Sequence, residues 1–275
     1  MDRSPWGGRP SLVRSILRRS ASQLTSYSSC GERYKQERVE RVDQLPAAWT
    51  MQGTAFHKAI EAYERSCRSL SLNQTQEVFA ATWHEEVSKG RETQPDLSKW
   101  LRGGRKSTDK DIAERYAAGL AQVAGYIEYT QYDPLKPLKL PDGSPAVEVG
   151  FLTVIGGVDV LGYIDLVLED DEGNPFVRDL KTGAKAPFLP LQLVIYRRGL
   201  RDTLGLEAAW GDFYMARENG PTDPISLHSL SDELLDQWFS DMDRSESAGL
   251  YLPNPSADTC WSCSVKHHCR VFQSN

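Results

Sequence analysis

Two hydrophobic rhythms run along the chain. Residues 160–168 are rich in β-branched and aliphatic side chains, residues 170–174 (Asp-Asp-Glu-Gly-Asn) carry turn chemistry, and residues 176–180 return. That pattern predicts a β-hairpin. A strand over 146–155 precedes it across a Gly156-Gly157 turn. A helix over 189–204 follows, then a strand over 208–216, an edge strand over 224–228 and a helix over 231–247 capped by Ser231.

Upstream, the rhythm is helical. Ser20 or Ser22 caps a helix with a Leu24, Tyr27, Gly31, Tyr34 stripe, and Cys30 lies beside that stripe. A second helix begins near Gly53 and presents Phe56, Ile60, Tyr63 and Cys67 to a core, with Cys67 read as plain packing. Residues 73–90 and 109–132 are helical, joined through Arg102-Gly103-Gly104-Arg105-Lys106, and predict a helical insertion over about 71–132. Trp83 and Trp100 are assigned to packing. Pro134, Pro137 and Pro141 mark a linker, and residues 1–19 read as a flexible basic arm ahead of one domain over 20–275.

The candidate chemistry lies on these elements. Asp165 is on the first hairpin strand. Asp179 and Lys181 are on the second, two apart and so on one face. Two carboxylates and an ammonium at one end of a hairpin suit a divalent-cation site with a cation beside it. His57 and Glu61 are one helical turn apart, so an imidazole could meet a metal while the carboxylate orients it or a water. Glu148 either lines the site or faces solvent. Gln192 and Tyr196 share a helix face and could bond a phosphate or stack on a base. The tail carries Cys260, Cys263 and Cys269 as C-x2-C-x5-C, tight ligand spacing that needs a fourth partner from Cys30, Cys67, His267 or His268.

Composition narrows the class. With 275 residues and 40% hydrophobic content the chain can bury a core, and its net charge of −6 gives no global attraction to nucleic acid. Cations are clustered, however. Residues 1–41 hold nine against four acids, 88–110 seven against three, and 178–201 six against Asp179 alone. Such stretches can bind phosphate on an acidic protein. No long apolar run or signal-like segment is present, so a cytoplasmic protein is expected, in a host cell's cytoplasm if phage-encoded. In that compartment five cysteines argue for metal over disulfides.

Together the motifs Gly53-x3-His57-x3-Glu61, Gly162-x2-Asp165, Asp179-Leu180-Lys181 and Gln192-x3-Tyr196, with Cys30 and the terminal cysteines, resemble the PD-(D/E)XK nuclease superfamily. They look like its RecB-type and CRISPR-associated iron–sulfur exonucleases; the proline those relatives carry before the first acid is replaced by Ile164. The resemblance implies a restriction-endonuclease-like α/β fold, a mixed central sheet flanked by helices. It implies Mg²⁺ or Mn²⁺ held by His57, Asp165, Asp179 and the Leu180 carbonyl, with Lys181 positioning water and Glu61, Gln192 and Tyr196 assisting. It further implies a 4Fe–4S cluster on Cys30, Cys260, Cys263 and Cys269, structural zinc being the competing reading. The expected substrate is DNA, as single-stranded ends cut 5′ to 3′, with recombination or CRISPR-adaptation proteins as partners. A ring-shaped oligomer stays open. The alternative is a DNA-binding or assembly subunit with little nuclease activity.

Overall fold

Strand β3, Val158–Glu169, is the spine of the sheet. A computed structural model describes residues 18–273 of the chain. Along one edge β3 pairs antiparallel with β2 (Val147–Ile155) and, beyond it, with the two-residue β1 (Lys136–Pro137). Along the other it pairs antiparallel with β4 (Pro175–Lys181), but only from Leu166–Arg178 to Glu169–Pro175. β4 continues in parallel with β5 (Trp210–Met215), reached through the crossover helix α6 (Leu191–Leu204). Short strands β6 (Gly220–Pro221) and β7 (Ile225–Ser226) finish the far edge. The predicted 134–141 linker is therefore partly sheet. Pro137 fits there because an edge position asks for no inward N–H.

Each face of the sheet buries a core. On one side α1 (Ala21–Ser29), α6 and α7 (Asp232–Ser247) cover Val160, Ile164, Val177 and Phe213. On the other, α3 (Ala48–Arg65), α4 (Leu72–Thr93) and α5 (Thr108–Thr130) cover Val147, Leu166, Leu180 and Tyr214. The helices expected as an insertion thus form a whole layer. Local signals start them: Ser71 and Gln74 make a reciprocal capping box for α4, and Ser107 caps α5. Trp83 and Trp100 are buried in this layer, as their assignment to packing required.

Several expectations need correction. α1, capped by Ser20, stops at Cys30, whose backbone is extended, and a short α2 (Gly31–Tyr34) restarts it into a π-turn over Lys35–Val39. α3 ends at Arg65, so Cys67 is exposed with a left-handed backbone rather than packed on the helix stripe. Most of the predicted arm lies outside the described residues. Its last member, Arg19, is buried, bridges Val160 and pairs with Asp243 and Glu246.

Candidate active site and cysteine pocket

The site lies where the sheet forks. One residue past the last β3–β4 pair, the strands part. Asp165 fills the gap, its Oδ2 accepting the Leu180 amide at 2.8 Å. β2 and β3 also change pleat here. Val149 and Ile164 point into the α6 side, whereas Val147 and Leu166 point into the α3 side, although each pair is two residues apart. Between them stand Glu148 and Asp165. Glu148 has φ of +50°, a conformation costing a non-glycine residue about 1–3 kcal/mol. The switch turns both acids toward the fork.

α3 supplies the imidazole. At Gly53 a Cβ would stand 3.3 Å from Thr182 Oγ1, so the helix lies close over the end of β4. One turn later His57 Nδ1 is 3.4 Å from Asp165 Oδ2. Ligand atoms of His57, Glu148 and Asp165 lie within 4.8 Å of one another. Asp179 stands beside Asp165 and pushes its pKa upward.

Lys181 is held from two directions. Its Nζ is 2.5 Å from Asp179 Oδ2 and donates to Gln192 Oε1 at 2.9 Å. Gln192 Nε2 in turn donates to the Tyr196 hydroxyl at 2.5 Å. Tyr196 is buried against Phe151. It cannot stack on a base, as one sequence reading allowed; it orients Gln192, which orients Lys181. Glu61 stays on the helix surface with Lys58 at 2.6 Å and Arg65 at 3.0 Å, and reaches the site only by raising the Glu148 pKa.

The electrostatics describe a site short of positive charge. Neither Asp179 oxygen accepts a hydrogen bond; its contact with Lys181 is ionic. Burial, then repulsion from Asp179 and Glu148, hold the Asp165 carboxyl well above its ordinary value despite the Leu180 amide. Burial and the Glu61 charge raise Glu148 as well. Burial, with Lys181 and Lys58 adding, pushes His57 down against the pull of Asp179, leaving a neutral imidazole with a free lone pair at pH 7. Orphaned carboxylate oxygens, crowded acids and a neutral imidazole are a donor set that fits a hard divalent cation. Sequence reasoning left Glu148 undecided; the missing signal was backbone, because its turn toward the fork depends on a left-handed φ.

The cysteines meet elsewhere. Cys30, Cys260, Cys263 and Cys269 line one small pocket near the helices α8 (Ala257–Trp261) and α9 (Arg270–Gln273). Neither Cys67 nor the His267–His268 pair is among its lining residues. Asn254 N donates to Cys30 Sγ at 3.4 Å, and Gly31 N bonds Leu252 O at 2.9 Å, where a side chain on Gly31 would collide. Burial raises the Cys263 thiol pKa.

The basic stretch over 178–201 is largely neutralised by acids from other elements. Arg178 is buried against Asp212 and Asp133, Arg197 against Asp232 and Glu207, and Arg198 and Arg201 pair with Asp202 and Asp232. These arginines hold the fold rather than phosphate. No described helix is long and apolar enough to cross a membrane.

The chain is 34% identical over 263 residues to the Gene 69 protein of Mycobacterium phage D29, covering 93% of this chain and 97% of that one. It is 31% identical over 282 residues to the Gene 69 protein of Mycobacterium phage L5, with the same coverage. A provisionally named exonuclease of Eubacterium rectale aligns over 98% of this chain and 94% of its own at 11% identity, with a TM-score of 0.46. The sequence model of the PD-(D/E)XK nucleases matches residues 18–270, and the chain belongs to that nuclease superfamily.

Proposed function

We propose that this protein is a metal-dependent DNA nuclease, an exonuclease on single-stranded ends, with a 4Fe–4S cluster tying its two termini together. The observation that carries the reading is the fork: His57, Glu148 and Asp165 within 4.8 Å, with Asp179 and a braced Lys181 alongside. Cleavage from 5′ to 3′ is adopted from the likeness to RecB-type exonucleases.

His57, Asp165, Asp179 and the Leu180 carbonyl would hold Mg²⁺ or Mn²⁺, with Glu148 adjacent. A bound ion of this kind supplies positive charge to the scissile phosphate and lowers the pKa of the attacking water. Lys181 donates to that water or to a phosphate oxygen and stabilises the charge that develops there. Gln192 and Tyr196 fix the ammonium, so little reorganisation is needed as the reaction proceeds. For the cluster, the supporting observation is that the four thiols line one pocket.

Incubating the protein with end-labelled single-stranded DNA and Mn²⁺ or Mg²⁺ tests the reading. The parent should cleave, and Lys181→Ala should lose about 10²–10³-fold in rate. No cleavage, or an undiminished Lys181→Ala, contradicts it. DNA retention without metal-dependent turnover would favour a DNA-binding subunit of a recombination or spacer-acquisition complex instead.

A further inference from the structure

A cleft of about 820 Å³ lies away from the fork, between the loop after α4 and the C-terminal tail. Lys99, Arg102, Lys266 and His267 line it, and no carboxylate is among its described lining residues. That contrasts with the chain's net charge of −6 and with the basic stretch over 178–201, whose arginines are paired with acids. Here the pairing is sparse. Arg102 is exposed and makes no ion pair among the described residues, and Lys99 is only 4.0 Å from Asp96. Lys266 donates to the Trp261 carbonyl at 3.1 Å and lies over the Trp261 and Phe272 rings, without a carboxylate. Arg102 and Lys266 are close enough to repel each other. With Asp96 at 4.0 Å from Lys99 and Asp43 acting on His267 as the nearby acids, the cations still outnumber the acids here, and such a cluster favours an anion.

Trp261 adds an aromatic surface. Its side chain is 70% exposed, although an indole of that size is normally buried. Bases stack on such platforms, and backbone phosphates follow a cationic groove beside them. Leu45 also lines the cleft, and Leu101 N bonds Pro46 O at 2.9 Å, next to the start of α3 at Ala48. His57 lies further along that helix, a rise of about 14 Å from Ala48.

We propose that this cleft is a groove for single-stranded DNA, in which Arg102, Lys266 and Lys99 meet phosphates and Trp261 stacks a base. The proposal takes the identity of the polymer from the nuclease reading. Duplex DNA would offer phosphates but no free base face to Trp261.

The test is fluorescence anisotropy in EDTA with a labelled oligothymidylate of about 15 nucleotides, beside a duplex of equal length. Arg102→Glu should weaken single-strand binding about tenfold at low salt and make the salt dependence shallower by about 0.7 in log–log slope. Lys110→Glu, the same charge change outside the cleft, should not. Trp261→Ala should weaken single-strand binding about tenfold and leave duplex binding alone. Both target residues are exposed, so melting curves should match the parent. If the folded variants bind like the parent, or Trp261→Ala weakens both DNAs alike, the groove is overturned. Mn²⁺-dependent hydrolysis of bis-p-nitrophenyl phosphate, too small to use the cleft, is measured in parallel. A parent that binds through these residues yet hydrolyses neither substrate keeps the groove and loses the nuclease reading.

Discussion

Arg178 and Asp179 are neighbours on one strand, both 1% exposed, and they end in opposite electrical surroundings. Arg178 spans both oxygens of Asp212 at 2.8 Å, donates to Asp133 at 2.6 Å and reaches the Tyr129 hydroxyl at 3.1 Å. Its hydrogen-bonding capacity is met from within the protein. One residue later Asp179 keeps both oxygens without a hydrogen bond, beside two further carboxylates and a single ammonium. A buried charge is ordinarily paired, because leaving it alone costs several kcal/mol. The arginine cluster is hydrogen-bonded throughout; at the fork the Asp179 oxygens keep only an ionic contact with Lys181, and the metal proposal rests on that difference.

Breaking the arginine cluster should have the largest effect on folding. Arg178→Met leaves Asp212 and Asp133 buried without their partner and should cost about 3–5 kcal/mol by denaturant titration. A loss under 1 kcal/mol would mean the two clusters are not different in kind. Cys263→Ala should come next. It should remove broad absorbance at about 400 nm from anaerobically purified protein and lower the melting temperature by about 5 °C, because cluster binding contributes to folding. Unchanged melting would rule out a staple.

The smallest effect is with pH. Asp165 has a folded pKa above its unfolded one, so its contribution to stability is present at low pH and is lost as pH rises through the raised value. His57, shifted downward, works the other way, losing stability as pH falls below about 6.5. In EDTA, Asp165→Asn should therefore gain melting temperature relative to the parent as pH rises above the carboxylate range. A gap that stays constant from acid to neutral pH would show that Asp165 is not crowded.

Much of the site was legible because strand and helix periods place residues without any knowledge of contacts. Asp179 and Lys181 had to share a face, and so did Gln192 and Tyr196. What was hidden depended on distant partners or on backbone. Arg178 looked like a phosphate ligand because Asp133 and Asp212 are far away in sequence. Glu148 was ambiguous because strand alternation assumes a regular pleat, and the pleat reverses at that residue. Cys67 looked like core because its spacing continues the α3 stripe, but the helix stops two residues earlier. The terminal cysteines were recognisable as ligands from their spacing, whereas spacing alone left four candidates for the fourth partner; the resemblance singled out Cys30, and the fold brings it to the same pocket as the other three.

The most direct test of the metal proposal at the fork is the melting temperature of metal-stripped protein with and without added Mn²⁺. For the parent, Mn²⁺ at about 100 times its dissociation constant should stabilise the fold by roughly 2.7 kcal/mol, a shift of several degrees. Asp179→Asn, which removes one of the crowded carboxylates, should melt no lower than the parent in EDTA and lose most of that shift. An equal Mn²⁺ shift in both proteins, or none in the parent, would contradict the account.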